Sequence, residues 1–293
     1  MSRLPLVRCQ FLLPFAAIHN SLGAPTESLL DKFKLPLLLH GKGDNYIPAR
    51  NAIYFIEAAA RTQGISDFGY LAAQSLKFEQ WHPNARTLIL QSPTLLYALR
   101  AVCSRAHVDA TNLAMHLEFH GKALRICSRL TGSTGSQHLE HIQWIQNMLP
   151  IQLVRQFAGL HWAPETIAFE APTHPSLNIQ EQWPKTRFLS GQKTSWIDVP
   201  AKYLSLPPLA STNIITSINP QDISSPNDLI DSLKLMLPSY IDEKVPTISQ
   251  AAEIANMSMR SFQRNLANTG WSYREVINMV RFERAVHLLK KTD

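Results

Sequence analysis

The sequence predicts an α+β domain over residues 1–206, a linker over 207–226, and an all-α, homeodomain-like tri-helical domain over 227–293. Three observations predict it. Apolar and polar residues alternate from Leu113 onward, as in a strand with one buried face, between segments of helical period. The stretch from Ser205 to Pro226 is rich in Ser, Pro and Asn and poor in charge, the composition of an interdomain linker. Beyond Pro246, Thr247, Ser258 and Ser272 each stand where a helix needs a cap.

A chain of 293 residues suffices for one large and one small domain, and 45% hydrophobic with 17% charged residues is the composition of a globular protein. Arg3 and Arg8 precede the apolar run Phe11 to Ile18, which invites comparison with an export signal. That run is short, contains Pro14 and leads into His19 and Asn20 without a small-residue cleavage site, so it reads as a core helix. No other stretch approaches the ~20 apolar residues that span a bilayer. The protein is therefore expected to be cytoplasmic, with no membrane partner.

Pro48 suits a first helical position because its missing N–H would have no partner there. Ala52, Ile53, Ile56, Ala59 and Ala60 then share one face of a helix that Gly64 closes. A second helix follows Pro93, with Leu95, Leu96, Leu99 and Val102 at helical spacing. Leu113, Met115, Leu117 and Phe119 form the inward face of a strand, Gly121-Lys122 a turn, and Ala123 to Leu130 the returning strand. Thr131 to Ser136 reads as a loop, Leu139 to Leu160 as a long helix, and Thr166–Glu170 and Arg187–Val199 as further strand segments.

Within this domain the residues supply no catalytic constellation. Gly41-x-Gly43 lacks the third glycine of a dinucleotide loop, and the run from Gly132 to Gly135 is not a nucleophile elbow. Cys9, Cys103 and Cys127 are widely spaced and odd in number, which favours reduced thiols over a disulfide framework or a zinc site. His116, Glu118 and His120 share a strand face, but their spacing matches no zinc signature, and that face reads as solvent-exposed. The pair His138 and His141 is read the same way. Trp81, Trp144, Trp162, Trp183 and Trp196 read first as core, with a ligand pocket as the alternative. The expectation is neither enzyme nor metalloprotein, and no cofactor.

The C-terminal region carries the functional signal. Asp228 to Leu237 is a short amphipathic helix stopped by Pro238. Thr247 and Gln250 fit a capping box, and Ile248, Ala251, Ala252 and Ala255 line one face of the helix they start. Asn256 sits where the chain needs a left-handed residue, and Met257 plugs the turn. Ser258 caps a second helix whose Phe262 and Leu266 face the first. Its other side presents Met259, Arg260, Ser261, Gln263 and Arg264. Arg and Gln read guanine and adenine edges bidentately in the major groove, so this is the face expected of a DNA recognition helix. Ser272 and Glu275 form a second capping box, opening a long helix through Lys291 with Tyr273, Val276, Ile277, Val280, Leu288 and Leu289 apolar. Arg274, Arg281 and Arg284 are candidates for phosphate contact or for a solvated face.

The chain carries 28 basic and 22 acidic residues, a net +6, with a pI near 9.3. From Pro246 to Asp293 seven basic residues face four acidic ones, half of that surplus. A polyanionic partner is compatible with it. On these residues alone a purely structural tri-helical core or a protein-docking element stays open.

The run from Thr247 to Asp293 resembles the first helix-turn-helix and linking helix of the AraC/XylS regulators, a bacterial type. The match includes Ala252-x-x-x-x-Met257-Ser258-x-Arg260-x-x-Gln263-Arg264 and Arg281-x-Glu283-x-Ala285-x-x-Leu288-Leu289. The segments PLVRCQFLLPFAAIHNSLGAP, IPARNAIYFIEAAARTQGISDFG and SPTLLYALRA resemble the branch with the arabinose-binding type of N-terminal domain. The resemblance implies a sequence-specific regulator of transcription. Its N-terminal domain would sense a small-molecule effector or form a homodimer, and its partners would be promoter DNA and RNA polymerase. It does not name the ligand. That family carries a second helix-turn-helix, which would begin where this sequence stops. The rival expectation is therefore a truncated regulator that acts through protein contacts and does not bind DNA specifically alone.

Overall fold

The computed structural model describes residues 3–39, 41–132, 139–210 and 226–290. The chain forms two compact units, one of residues 1–55 with 224–293 and the other of residues 56–223. Among the described residues no helix is long and apolar enough to cross a membrane.

The first unit joins both ends of the chain. Strands β1 (Leu6–Arg8) and β2 (Tyr46–Pro48) pair antiparallel and enclose α1 (Leu13–Ser21) and α2 (Thr26–Lys32) in sequence. The apolar run at Phe11 to Ile18 is indeed a core element, with Leu12 and Phe15 buried. From the other end come α9 (Leu229–Met236), α10 (Ile248–Ile254), α11 (Met259–Ala267) and α12 (Tyr273–Leu289). Asp228 caps α9 by accepting the Asp231 N–H, and a turn of 3₁₀ helix at Leu237–Ser239, containing Pro238, ends it. Leu229, Leu233, Met236 and Leu237 are buried, as are Leu4, Leu6 and Ile47.

Hydrogen bonds of long sequence separation tie these pieces together. The Leu4 N–H donates to Ser232 Oγ at 3.2 Å, the Tyr240 hydroxyl to the Lys34 carbonyl at 2.9 Å, and the Ser239 hydroxyl to the Tyr46 carbonyl at 2.6 Å. This grouping differs from the expected domain over 1–206, because the first 55 residues bury their apolar side with the C-terminal helices. Local periodicity carries no sign of pairings made across some two hundred positions.

The second unit is α+β. Helix α3 (Ala49–Gln63) begins in the first unit and ends in this one, and Gly64 closes it at φ 64°. Then come α4 (Phe68–Ser75), α5 (Pro83–Leu90), α6 (Leu95–Asp109), β3 (Leu113–His120), β4 (Ala123–Leu130) and α7 (Glu140–Ala158). The chain continues through β5 (Thr166–Ala168), α8 (Leu177–Gln182), β6 (Arg187–Leu189) and β7 (Ser195–Pro200). The strands form one sheet in the order β3-β4-β7-β5-β6, antiparallel except for the β5–β6 pair. Gly121, at φ 58°, makes the β3–β4 turn where the sequence places it.

Helix α7 lies on one sheet face. Leu124, Ile126, Ile197 and Val199 are buried there, and Asn147 on α7 is held by its Nδ2–H to the Ala168 carbonyl and by the Ser195 hydroxyl. Helix α4 packs so closely on α7 that the Cα of Gly69 meets the backbone of His141, leaving no room for a Cβ. Phe119 departs from expectation: it is exposed, next to the turn end of the hairpin. Most of the loop at 131–136, most of the linker, His138 and Lys291 lie outside the described residues. The start of the expected linker is not free, since the Leu95 N–H donates to the Leu206 carbonyl at 3.0 Å and the Leu209 N–H to the Gln156 carbonyl at 2.8 Å.

Candidate functional sites

Helices α10, α11 and α12 are each started by the residue the sequence marks. Thr247 Oγ1 accepts the Gln250 N–H while Gln250 Oε1 accepts the Thr247 N–H at 2.9 Å. Ser258 Oγ accepts the Ser261 N–H at 3.2 Å. Ser272 and Glu275 repeat the reciprocal arrangement, and the Ser272 N–H and hydroxyl hold the Glu275 carboxyl below its ordinary pKa. Between α10 and α11 Asn256 takes φ 55°, and the Met257 N–H returns to the Ala252 carbonyl at 2.9 Å. That left-handed residue turns the chain within four positions, which lets α11 cross α10.

The crossing is closed by small and aromatic side chains. Ala251, Ala252 and Ile254 of α10 are buried with Phe262 and Leu266 of α11 and Tyr273, Val276 and Val280 of α12. Phe262 meets Tyr273 edge to face at 5.8 Å, and the Tyr273 hydroxyl donates to the Pro246 carbonyl at 2.8 Å. Burial raises the Tyr273 phenol pKa. Ile248, Ala255 and Met257 are half-buried, and Ile254 is a core member the sequence reading omits.

The opposite side of α11 stands open. Arg260, Gln263 and Arg264 are exposed, and Met259 is 46% exposed. Ser261 is half-buried and engaged with the cap, its hydroxyl 3.0 Å from Ser258 Oγ. Arg274 and Arg281 are exposed, whereas Arg284 pairs with Asp242 at 3.3 Å. Leu288 and Leu289, apolar residues at the end of α12, are exposed, Leu289 at 69%.

The second unit holds a cleft of about 880 Å³ where α4, α7 and α8 meet the segment before β6. Arg155 lies in its wall. The Arg155 Nε–H donates to the Trp162 carbonyl at 2.9 Å, and its guanidinium lies 5.6 Å from the centre of the Trp183 ring. The Trp183 indole N–H donates to the Tyr70 hydroxyl at 3.0 Å, which donates to Gln182 Oε1 at 2.9 Å. No carboxylate pairs with Arg155 among the described residues, and burial lowers its pKa. Lys77, His161 and Lys185 also line the cleft, against Glu79 as the one acid among its described lining residues. Sequence reasoning missed Arg155. The available signal was Trp183, one of five tryptophans for which a pocket was the alternative.

A profile described as the arabinose-binding domain of AraC transcription regulator, N-terminal, matches residues 23–208. Curated protein sequences give no match. Among solved structures the chain is similar to the transcriptional regulator CdpR from Pseudomonas aeruginosa, at 14% identity and a TM-score of 0.45, over 89% of this chain and 83% of that one. The profile spans well over half of the chain, including the whole sheet and the cleft around Arg155. By that match the chain belongs to the AraC transcription regulators that carry an arabinose-binding N-terminal domain.

Proposed function

We propose that this regulator binds promoter DNA through a helix-turn-helix formed by α10 and α11, with α11 in the major groove. The observation that carries the reading is the division of α11 into two sides. Phe262 and Leu266 are buried, while Arg260, Gln263 and Arg264 stand free of any packing role. Arg260, Gln263 and Arg264 would read base edges, with Ser258, Met259 and Ser261 at the end of the helix that enters the groove first. Arg274 and Arg281 would contact phosphates, which position the protein without reading sequence. Arg284, already paired with Asp242, is a weaker candidate.

In the same reading the cleft around Arg155 takes the effector. A guanidinium without an acidic partner, flanked by aromatic rings in a space of ligand size, favours a small organic anion over a neutral sugar. The effector would act by differential affinity for two arrangements of the DNA-binding units, in a homodimer contacting RNA polymerase at the promoter.

The test is selection of bound duplexes from a random-sequence pool, followed by anisotropy on the enriched site at several salt concentrations. Enrichment of a defined site, with affinity falling as salt rises, supports the reading. Recovery of unenriched sequence would overturn it.

A further inference from the structure

The hairpin of β3 and β4 has a second face, turned away from α7, whose chemistry the DNA-binding reading does not use. Strand register sets His116 directly opposite Cys127 and Glu118 directly opposite Arg125. Directly opposed side chains on one face have Cβ atoms ~4.5–5.5 Å apart, so an imidazole, a carboxylate and a thiol are brought within reach of each other. One potential ligand atom from each of His116, Glu118 and Cys127 lies within 4.8 Å of the other two.

Glu118 does not make the ion pair its register offers. Arg125 lies over the Trp196 ring, 4.0 Å from its centre, with its Nε buried and unpaired. The Glu118 carboxylate is instead beside the thiol, Oε2 3.9 Å from Cys127 Sγ. Cys127 is 1% exposed, set among Ala168 and Trp196, while His116 and Glu118 are exposed. The three groups thus form a shallow site with a sulfur floor and an open side, and the nearby guanidinium is held on an aromatic ring.

We propose that this hairpin binds a divalent transition-metal ion of the zinc class through an imidazole nitrogen of His116, a carboxylate oxygen of Glu118 and the thiolate of Cys127. One nitrogen, one oxygen and one sulfur donor suit zinc and its neighbours, whereas calcium and magnesium take oxygen ligands. Ligand bonds of about 2.0–2.3 Å put the donor atoms of a tetrahedral site about 3.3–3.8 Å apart, so the three drawn together by side-chain rotation can close on one ion. The fourth position faces solvent and takes water. On binding, the thiol proton leaves to solvent and the sulfur lone pair forms the metal bond. Because β3 is an edge strand of the sheet, the ion would clamp that edge to β4.

The test uses the full 293-residue chain with Zn²⁺ or Co²⁺ alone. Competition with a chromophoric chelator is expected to show one zinc per chain. His116→Ala and Glu118→Gln, both at exposed positions where folding is not at stake, are each expected to weaken it about tenfold or more. Co²⁺ is expected to give a thiolate charge-transfer band that Cys127→Ser abolishes and Cys103→Ser retains. Absence of stoichiometric binding overturns the proposal. So does binding that survives both His116→Ala and Glu118→Gln, since it would come from other histidines. If Cys127→Ser fails to fold, the two surface variants and the band in Cys103→Ser decide the matter.

Discussion

Glu243 and Lys42 form an ion pair of 3.0 Å with side chains only 11% and 12% exposed. The same carboxylate accepts the backbone N–H groups of Leu37 and Leu38 at 2.7 and 2.9 Å. One side chain near the start of the C-terminal helices thus satisfies three donors from the N-terminal segment, two of them backbone amides of a stretch without secondary structure. Such a group acts less through the worth of the pair than through the cost of removing it, because the Lys42 ammonium left behind is mostly shielded from water.

Glu243→Ala is therefore expected to destabilise the first unit by about 1–3 kcal/mol, since Lys42 keeps only the Ser239 carbonyl and the more distant Asp242 as partners. Chemical denaturation should show the transition of the first unit shifted to lower denaturant while that of residues 56–223 holds. An unchanged denaturation profile would mean that these donors find water instead.

Ala252→Glu is expected to unfold the first unit and abolish DNA binding without touching DNA. Ala252 is 2% exposed where α10 meets α11, and a carboxylate there would be buried without a partner. Limited proteolysis should remove residues 1–55 and 224–293 and leave the second unit. A folded variant would place the inward side of α10 elsewhere.

Arg264→Ala and Gln263→Ala are each expected to lower specific DNA affinity by roughly 1–3 kcal/mol and to relax selectivity at one base position. Melting temperature should be unchanged, because both side chains lie outside the apolar side of α11. Wild-type affinity in either variant, measured by anisotropy on the selected site, would remove that residue from the reading face.

Arg155→Gln tests the cleft separately from DNA binding. A thermal-shift screen of amino acids, hydroxy acids, aromatic acids and neutral sugars is expected to yield carboxylates. Arg155→Gln should weaken their binding by about tenfold or more, the worth of one charge-assisted contact. Affinity for DNA in the absence of effector should be unchanged. Stabilisation by neutral sugars alone would refute the anion.

Acid should loosen both units. Burial lowers the pKa of His19, whose Nδ1 lies 2.9 Å from Thr26 Oγ1, and of His141, which meets Phe68 edge to face at 6.0 Å. Both are thus neutral when folded and take up protons more readily when unfolded. Stability from each is full above the ordinary value of 6.5 and declines as pH falls below it. Denaturation between about pH 8 and 5 should show this slope, and His141→Gln should flatten it for the second unit. A slope untouched by the substitution would assign it to other groups.

Much of this architecture is legible in the sequence because its signals are local. Thr247, Ser258 and Ser272 mark helix starts by side-chain chemistry alone, Asn256 marks the turn, and alternation from Leu113 marks the hairpin. What escaped depends on distant pairings. The reach of Glu243 to Leu37 and the seat of Arg155 on Trp183 leave no periodic trace.

The first unit is assembled from the two ends of the chain, and this sets an order on its synthesis. Residues 56–223 are contiguous and can fold as they leave the ribosome. Residues 1–55 cannot complete their core until α9 and the helices after it emerge. At roughly 5–20 residues per second that delay is on the order of ten seconds or longer. Throughout it Leu6, Leu12, Phe15 and Ile47, buried in the finished protein, have no C-terminal helices to cover them. The nascent chain therefore leaves the apolar side of residues 1–55 uncovered until α9 to α12 are made.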